Sequence, residues 1–229
     1  MQISERHLRE TARDYACRVI KQNIISLALV PGSMVSENEL SAQLGLSRTP
    51  VREALIELGK TQLVEILPQR GSRISLIDYE HVDESRFVRL VMENAVVELL
   101  CTGTEELDFS RLDENLRLQE MYLKDGVSEK LMEIDDAFHR ELFRLCGKMQ
   151  TYQLVNSMAA HFDRVRSMSI TAVRDTKLVS DHSAVVEAIR CRDASAAKEL
   201  MTQHLSRYKI DKDAIRAQYP GYFKRTSEA

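Results

Sequence analysis

The chain has 229 residues, 44% of them hydrophobic and 29% charged, with a formal net charge of −3. That is room for two modest domains of an ordinary globular protein, and it excludes a strongly basic chain that holds nucleic acid by charge alone. The charge is unevenly shared: residues 1–75 carry 10 Lys+Arg against 8 Asp+Glu, net +2, and the remainder carries 22 against 27, net −5.

The polar opening MQISERHLRETARDY reads as no secretory signal. The longest apolar runs, such as Ile24–Val30, are too short to span a bilayer, so no membrane role is expected. Cys17, Cys101, Cys146 and Cys191 are scattered without a C-x-x-C pair, which suits reduced thiols and a cytoplasmic protein. Residues 4–28 read as one amphipathic helix with Leu8, Ala12, Tyr15, Val19 and Ile24 near helical spacing, stopped by Pro31-Gly32.

Residues 36–73 carry the densest local signals. Ser36 with Glu39 fits a capping box that opens a short helix bearing Leu40 and Leu44 on one face. Gly45 closes that helix in the left-handed region. Ser47 opens a second helix, with Pro50 in its first turn and Val51, Leu55 and Leu58 as its apolar face. Arg48, Thr49 and Arg52 then stand at the N-terminal end of this helix, off the buried face. A helix N-terminus accepts phosphate oxygens and an arginine forks onto guanine, so this end suits the major groove. Leu63–Leu67 and Ser72–Leu76 follow as two short strands around the turn Pro68-Gln69-Arg70-Gly71. Residues 1–76 are therefore expected to form a winged helix-turn-helix domain.

From Val82 onward the pattern is helical throughout. Helices are expected near 82–101, 105–124, 127–146, 149–172, 176–191 and 194–212, an all-α bundle within a second domain of residues 77–229. Tyr219-Pro220-Gly221-Tyr222-Phe223 reads as an aromatic turn that packs back onto the body.

Asp135 and His139 lie four apart on one helix face. His182 and His204 lie on two later helices, each 11 residues from Asp193, the N-cap at the break between them. If those helices fold back antiparallel, both imidazoles stand about 16 Å from the turn, level with one another. Three imidazoles and one carboxylate inside a bundle suit a divalent transition metal, with Zn, Ni, Mn and Fe all compatible. Asp135, rather than Asp136, is in register with His139. Each histidine taken alone reads more readily as a core or boundary residue.

The stretch PGSMVSENELSAQLGLSRTPVREALIELGKTQLVEILPQRGSRIS resembles the winged-helix head of the GntR family of bacterial transcription regulators. FVRLVMENAVVELL, EIDDAFHREL and DHSAVVEAIRCRDASAAKELMTQHL resemble the FCD domain, the effector-binding bundle of the FadR subgroup. The resemblance covers roughly residues 8–212 and implies a mostly α protein, a DNA-binding winged helix followed by an FCD-like bundle. It implies DNA contacts from Arg48, Thr49, Arg52 and Gly71, and from Asn38 where relatives often carry arginine. It also implies metal ligation by Asp135, His139, His182 and His204, and an effector carboxylate met by Arg89. The competing reading of Arg89 is an i, i+4 ion pair with Glu93. Arg164, Arg166, His161 and Asn156 share a later helix from which they can reach the same pocket.

The implied protein is a homodimeric repressor that binds a double-stranded operator and is released by a small organic acid. It is not an enzyme: a metal with three histidines can activate water, but no general base accompanies this one at a clear spacing. A repressor with the ion itself as effector, and a metal that only braces the bundle, are the other readings these residues allow.

Overall fold

The computed structural model describes every residue except 127, 173–176 and 225–229. The chain forms two compact units, Met1–Val82 together with the segment from Tyr219, and Asp83–Gln218. None of the described helices is long and apolar enough to cross a membrane.

In the first unit α1 (Ala12–Ile25) packs on α3 (Arg48–Lys60), with α2 (Glu37–Leu44) completing the trio. Val19, Ile20 and Ile24 from α1 and Val51, Ala54 and Leu55 from α3 are almost wholly excluded from water. The first helix starts at Ala12, not near residue 4. Arg9 takes a left-handed backbone, and Thr11 caps the helix by accepting from the Asp14 amide at 3.1 Å. Leu8 fits the apolar spacing but lies outside the helix and is 94% exposed. Ser36 does occupy the N-cap of α2, yet its side chain makes no capping bond. Gly45 closes α2 at φ 66, as its position requires.

The sheet has three strands rather than a two-stranded hairpin. β1 (Met34–Val35), β2 (Val64–Leu67) and β3 (Gly71–Ile74) are ordered β1-β3-β2, all antiparallel, with Val35 opposite Ser72 and Glu65 opposite Arg73. Glu65 and Arg73 form a cross-strand ion pair at 2.5 Å. The chain leaves the wing through Ile77 and Asp78 into α4 (Tyr79–Thr102). The aromatic turn does pack back: Phe223 makes a parallel bridge with Ile77 and stacks on Tyr79 at 5.2 Å between ring centroids.

The second unit is helical throughout its described residues. α5 (Ser110–Asp125), α6 (Ser128–Leu145), α7 (Met149–Met158), α8 (Ala160–Ala172), α9 (Leu178–Arg190), α10 (Ala194–His204) and α11 (Tyr208–Gln218) follow α4. Two expected helices are each divided. The 149–172 segment breaks at Ala159, and the 194–212 segment breaks at 205–207 without any Gly or Pro. At the second break Arg207 bonds Asp181 at 2.6 Å and Arg86 bonds Ser206 at 3.2 Å, so tertiary partners hold the turn. α9 and α10 pack as a hairpin, and Asp193 caps α10 through the Ala196 amide at 2.9 Å. Arg192, at φ 58 in that hairpin, donates to the carbonyls of Leu100, Gly103 and Glu105 at 2.6–2.7 Å and seals the C-terminal end of α4. The core around Phe138, Leu142, Val165, Met168, Val185, Ile189 and Met201 encloses the polar cluster described next.

Candidate metal centre and nucleic-acid interface

The four residues singled out by spacing come together in the core of the bundle. Asp135 and His139 project from α6, His182 from α9 and His204 from the last turn of α10. One donor atom from each lies within 4.8 Å of all the others, and all four residues are buried. The Nε2 atoms of His139 and His182 each stand 3.2 Å from Nε2 of His204. The nearer Asp135 oxygen lies 3.5 Å from His182 Nε2 and 3.9 Å from His139 Nε2.

Neighbouring helices fix which nitrogen faces inward. Nδ1 of His139 lies 2.5 Å from Glu93 on α4, a carboxylate that only accepts, so Nδ1 carries the hydrogen. Nδ1 of His182 lies 2.8 Å from Gln119 Oε1 on α5. That amide is oriented in turn, because Gln119 Nε2 donates to Asn115 and Asn115 donates to the Ile134 carbonyl. Both Nε2 lone pairs therefore point at the common centre. His204 Nε2 supplies at most one hydrogen to two such neighbours, leaving a lone pair facing another nitrogen. Nδ1 of His204 is 3.7 Å from Asp181, within ion-pair range but too long for a hydrogen bond. These orienting partners of metal-binding histidines are the usual accompaniment of a coordination site. Sequence reasoning missed Glu93, Gln119 and Asp181 in this role. Only Glu93 left a trace, as the i+4 neighbour of Arg89.

The electrostatics agree. Burial pushes the His139 and His182 imidazoles well below the ordinary histidine range, with neighbouring positive groups adding to it, so both rings are neutral, the form a metal ion takes. Burial would raise the Asp135 carboxyl, but the Arg166 guanidinium beside it outweighs that and holds it ionised. Asp135 is fully buried, and neither of its oxygens has a hydrogen-bond partner; Arg166 approaches at 2.9 Å as an ion pair only. Burial opposes the charge of Arg166, yet Asp136, Asp135 and Asp163 keep it firmly protonated. Glu93, Asp135, Asp136 and Asp163 form a network of ion pairs with Arg89 and Arg166. Converging lone pairs, neutral imidazoles and the Asp135 carboxylate form a donor set whose chemistry suits one divalent cation.

A small cavity adjoins the cluster, lined by Arg89, Glu93, Asp136, His139, Tyr152 and Arg166 among others. Its free volume is about 20 Å³, space for roughly one water. Arg89 forms the i, i+4 pair with Glu93 at 2.6 Å and also faces this cavity. Asn156 and Arg166 line it too, whereas Arg164 is buried elsewhere and His161 is not on its wall.

In the first unit Asn38, Arg48, Thr49, Arg52 and Gly71 are all exposed or partly so. Asn38, Arg48 and Gly71 line one groove between α2, the start of α3 and the wing, together with Arg70. Thr49 and Arg52 are not on its wall but lie on the outer side of the same end of α3. Gly71 has φ 95, a backbone that a side chain disfavours. Arg48 is held at 3.2 Å by Glu37, an exposed pair that a phosphate or base edge can displace.

Comparison with known proteins extends this reading. Residues 14–74 match the gntR family of bacterial regulatory proteins, and residues 84–207 match the FCD domain. The HTH-type transcriptional repressor RspR of Escherichia coli is 31% identical over 207 residues, covering 90% of this chain and 91% of that one. An HTH-type transcriptional regulator in an unstable DNA locus of Streptomyces ambofaciens is 34% identical over 205 residues, 89% of this chain and 86% of its own. The solved structure of E. coli McbR/YncC superposes with a TM-score of 0.75 at 17% identity, covering 91% of this chain and 99% of that one, a likeness of fold.

Proposed function

We propose a ligand-controlled repressor, starting from the premise that the chain belongs to the GntR family of bacterial regulatory proteins and carries an FCD domain behind its DNA-binding head. It is a DNA-binding transcription regulator, and its relatives and fold are those of regulators rather than enzymes. Beyond that shared role, the reading is this chain's own. Asp135, His139, His182 and His204 hold a divalent transition metal, Zn, Ni, Mn or Fe. A bound ion supplies the positive charge and open coordination positions that a small carboxylate needs. The chain's own residues then orient that acid: Arg89 and Arg166 offer cationic edges and Tyr152 and Asn156 polar ones. Without a cation, the carboxylates of Glu93, Asp135 and Asp136 repel an organic acid, so metal loading comes first.

Two copies in the cytoplasm present two heads to a pseudo-palindromic operator. A head with a net charge of only +2 needs that doubled attachment at physiological salt. Arg48, Thr49, Arg52, Asn38 and Gly71 make the contacts. Acid binding favours the arrangement with weak operator affinity, and operator is released.

The observation that carries the metal site is the convergence of oriented Nε2 lone pairs and Asp135. The test begins with operator DNA selected by the protein from a random pool. Operator affinity is then measured for chelated and metal-loaded protein against a panel of hydroxy acids, sugar acids and dicarboxylates. Weaker operator binding with one acid, only in loaded protein, is expected. Tighter binding with acid overturns release, and no metal retention overturns the site.

The cavity favours a second reading. With room for about one water, it admits an ion without rearrangement but an organic acid only after its walls part. If zinc alone changes operator affinity and no acid adds to it, the ion is the effector.

A further inference from the structure

Two stretches of chain connect the bundle to the head, one running through α4 past Val82 and one leaving α11 after Gln218. Each belongs to an element tied to a ligand of the cluster. On α4, Glu93 holds Nδ1 of His139 and Arg89 holds Glu93. On the other route, His204 ends α10, and Arg207 in the following turn holds Asp181 beside the His204 ring. Within the bundle the two routes are joined by the Arg86–Ser206 bond.

Within the first unit they are joined again. The Ile77 amide donates to the Tyr222 carbonyl at 2.8 Å, and the Lys224 amide donates to the Ile77 carbonyl at 2.9 Å. Phe223 lies flat on Tyr79, with ring planes 6° apart, and is 7% exposed. Lys224 Nζ reaches Asp78 at 2.9 Å, and Asp78 also accepts the Glu80 amide, opening α4. Two backbone bonds, one ring stack and one ion pair hold this short segment to the connector.

We propose that Tyr219–Lys224 is a clasp on the Ile77–Tyr79 connector, and that the head senses the loading of the ligand cluster through it. Joined in the bundle by the Arg86–Ser206 bond and in the first unit by the clasp, the two routes carry a shift of His204 or His139 to the connector together. With the clasp open, α4 alone carries such a shift to the head. This rests on the reading that the cluster binds metal and that its state governs operator affinity.

The test uses full-length protein, zinc ion alone as the probe and the self-selected operator. Phe223→Ala removes the stack, and Lys224→Ala with Asp78→Asn removes the ion pair while leaving every buried apolar group in place. Wild type is expected to change its operator Kd about 5-fold or more on zinc loading, the lower range of allosteric coupling. Both variants are expected to keep zinc affinity and metal-free operator affinity within about 2-fold of wild type, with a zinc response falling toward no change. Retained metal-free operator binding shows that the head still folds. If Phe223→Ala loses it, the milder double variant decides. Variants that respond to zinc as wild type does overturn the clasp and leave the regulator reading intact.

If wild-type operator affinity ignores zinc, the ion alone is not the effector, and hydrogen exchange decides the clasp separately. Slower exchange of the Ile77 and Lys224 amides on zinc loading, lost in the variants, supports it. Exchange indifferent to zinc overturns it.

Discussion

Gln119 offers a sharp test of the cluster, because it touches an imidazole without supplying a ligand atom. Gln119→Leu leaves Nδ1 of His182 buried without its acceptor, and nothing then selects the tautomer that turns Nε2 inward. Loss of such an orienting partner lowers metal affinity by about 10–100-fold, roughly 1.4–2.8 kcal/mol. A metal at 100 times its Kd stabilises wild type by about 2.7 kcal/mol, and the same concentration stabilises the variant by only about 0.4–1.4 kcal/mol. The zinc-induced rise in Tm should therefore be smaller by roughly 3–9 °C for a chain of this size. Competition against a chromophoric chelator gives the affinity directly, and thermal unfolding with and without zinc gives the second measure. Metal-free Gln119→Leu will itself be less stable by about 1–3 kcal/mol, so the comparison is of the two zinc increments. A variant that binds zinc as tightly as wild type would show that the Gln119–His182 bond does not prepare the site, and the orientation argument would fall.

Three further outcomes follow from particular residues. Arg192→Ala removes charged donors from three carbonyls at the end of α4 and should destabilise the chain by about 2–3 kcal/mol in urea, while Arg192→Gly, relieved of the left-handed strain, should recover up to about 1 kcal/mol of that. Chelated protein should lose stability as pH falls through about 6.5, because His139 and His182, held below their ordinary pKa, are neutral when folded and bind protons when unfolded. Its Tm between about pH 7.5 and 5.5 checks this, and a flat profile, or one unchanged in His139→Asn/His182→Asn, contradicts it. Arg48→Ala should weaken binding to the selected operator by about 1–3 kcal/mol in fluorescence anisotropy while leaving zinc affinity untouched; equal losses on operator and random DNA would place Arg48 on the phosphates instead.

What the sequence made legible was mostly local. Gly45, Ser47 and Pro50 mark helix ends by their own backbone chemistry, and the ends fall where those residues stand. Leu8 misled because apolar spacing carries no information about where hydrogen bonding begins; the Thr11–Asp14 cap supplied that and lay in plain sight. β1 was unreadable, since a two-residue strand exists only through its pairing with β3. The division at 205–207 depends on Asp181 and Arg86, far along the chain. The ligand cluster was legible because a helical hairpin turns equal offsets from Asp193 into equal depth. Its supports were not: Glu93 and Gln119 stand on helices whose placement beside α6 and α9 no spacing reveals.

The tightness of the cavity beside the cluster also has a temporal meaning. If a small acid is the effector, it enters only as Tyr152, Val155 and Asn156 on α7 move aside, at a rate set by the helix and not by its own diffusion. Its observed binding rate should level off as concentration rises, and once enclosed it should leave slowly. On the proposed function, such a receptor would ignore a brief pulse of metabolite and answer a sustained one, the walls of a space smaller than its occupant acting as a low-pass filter on gene expression.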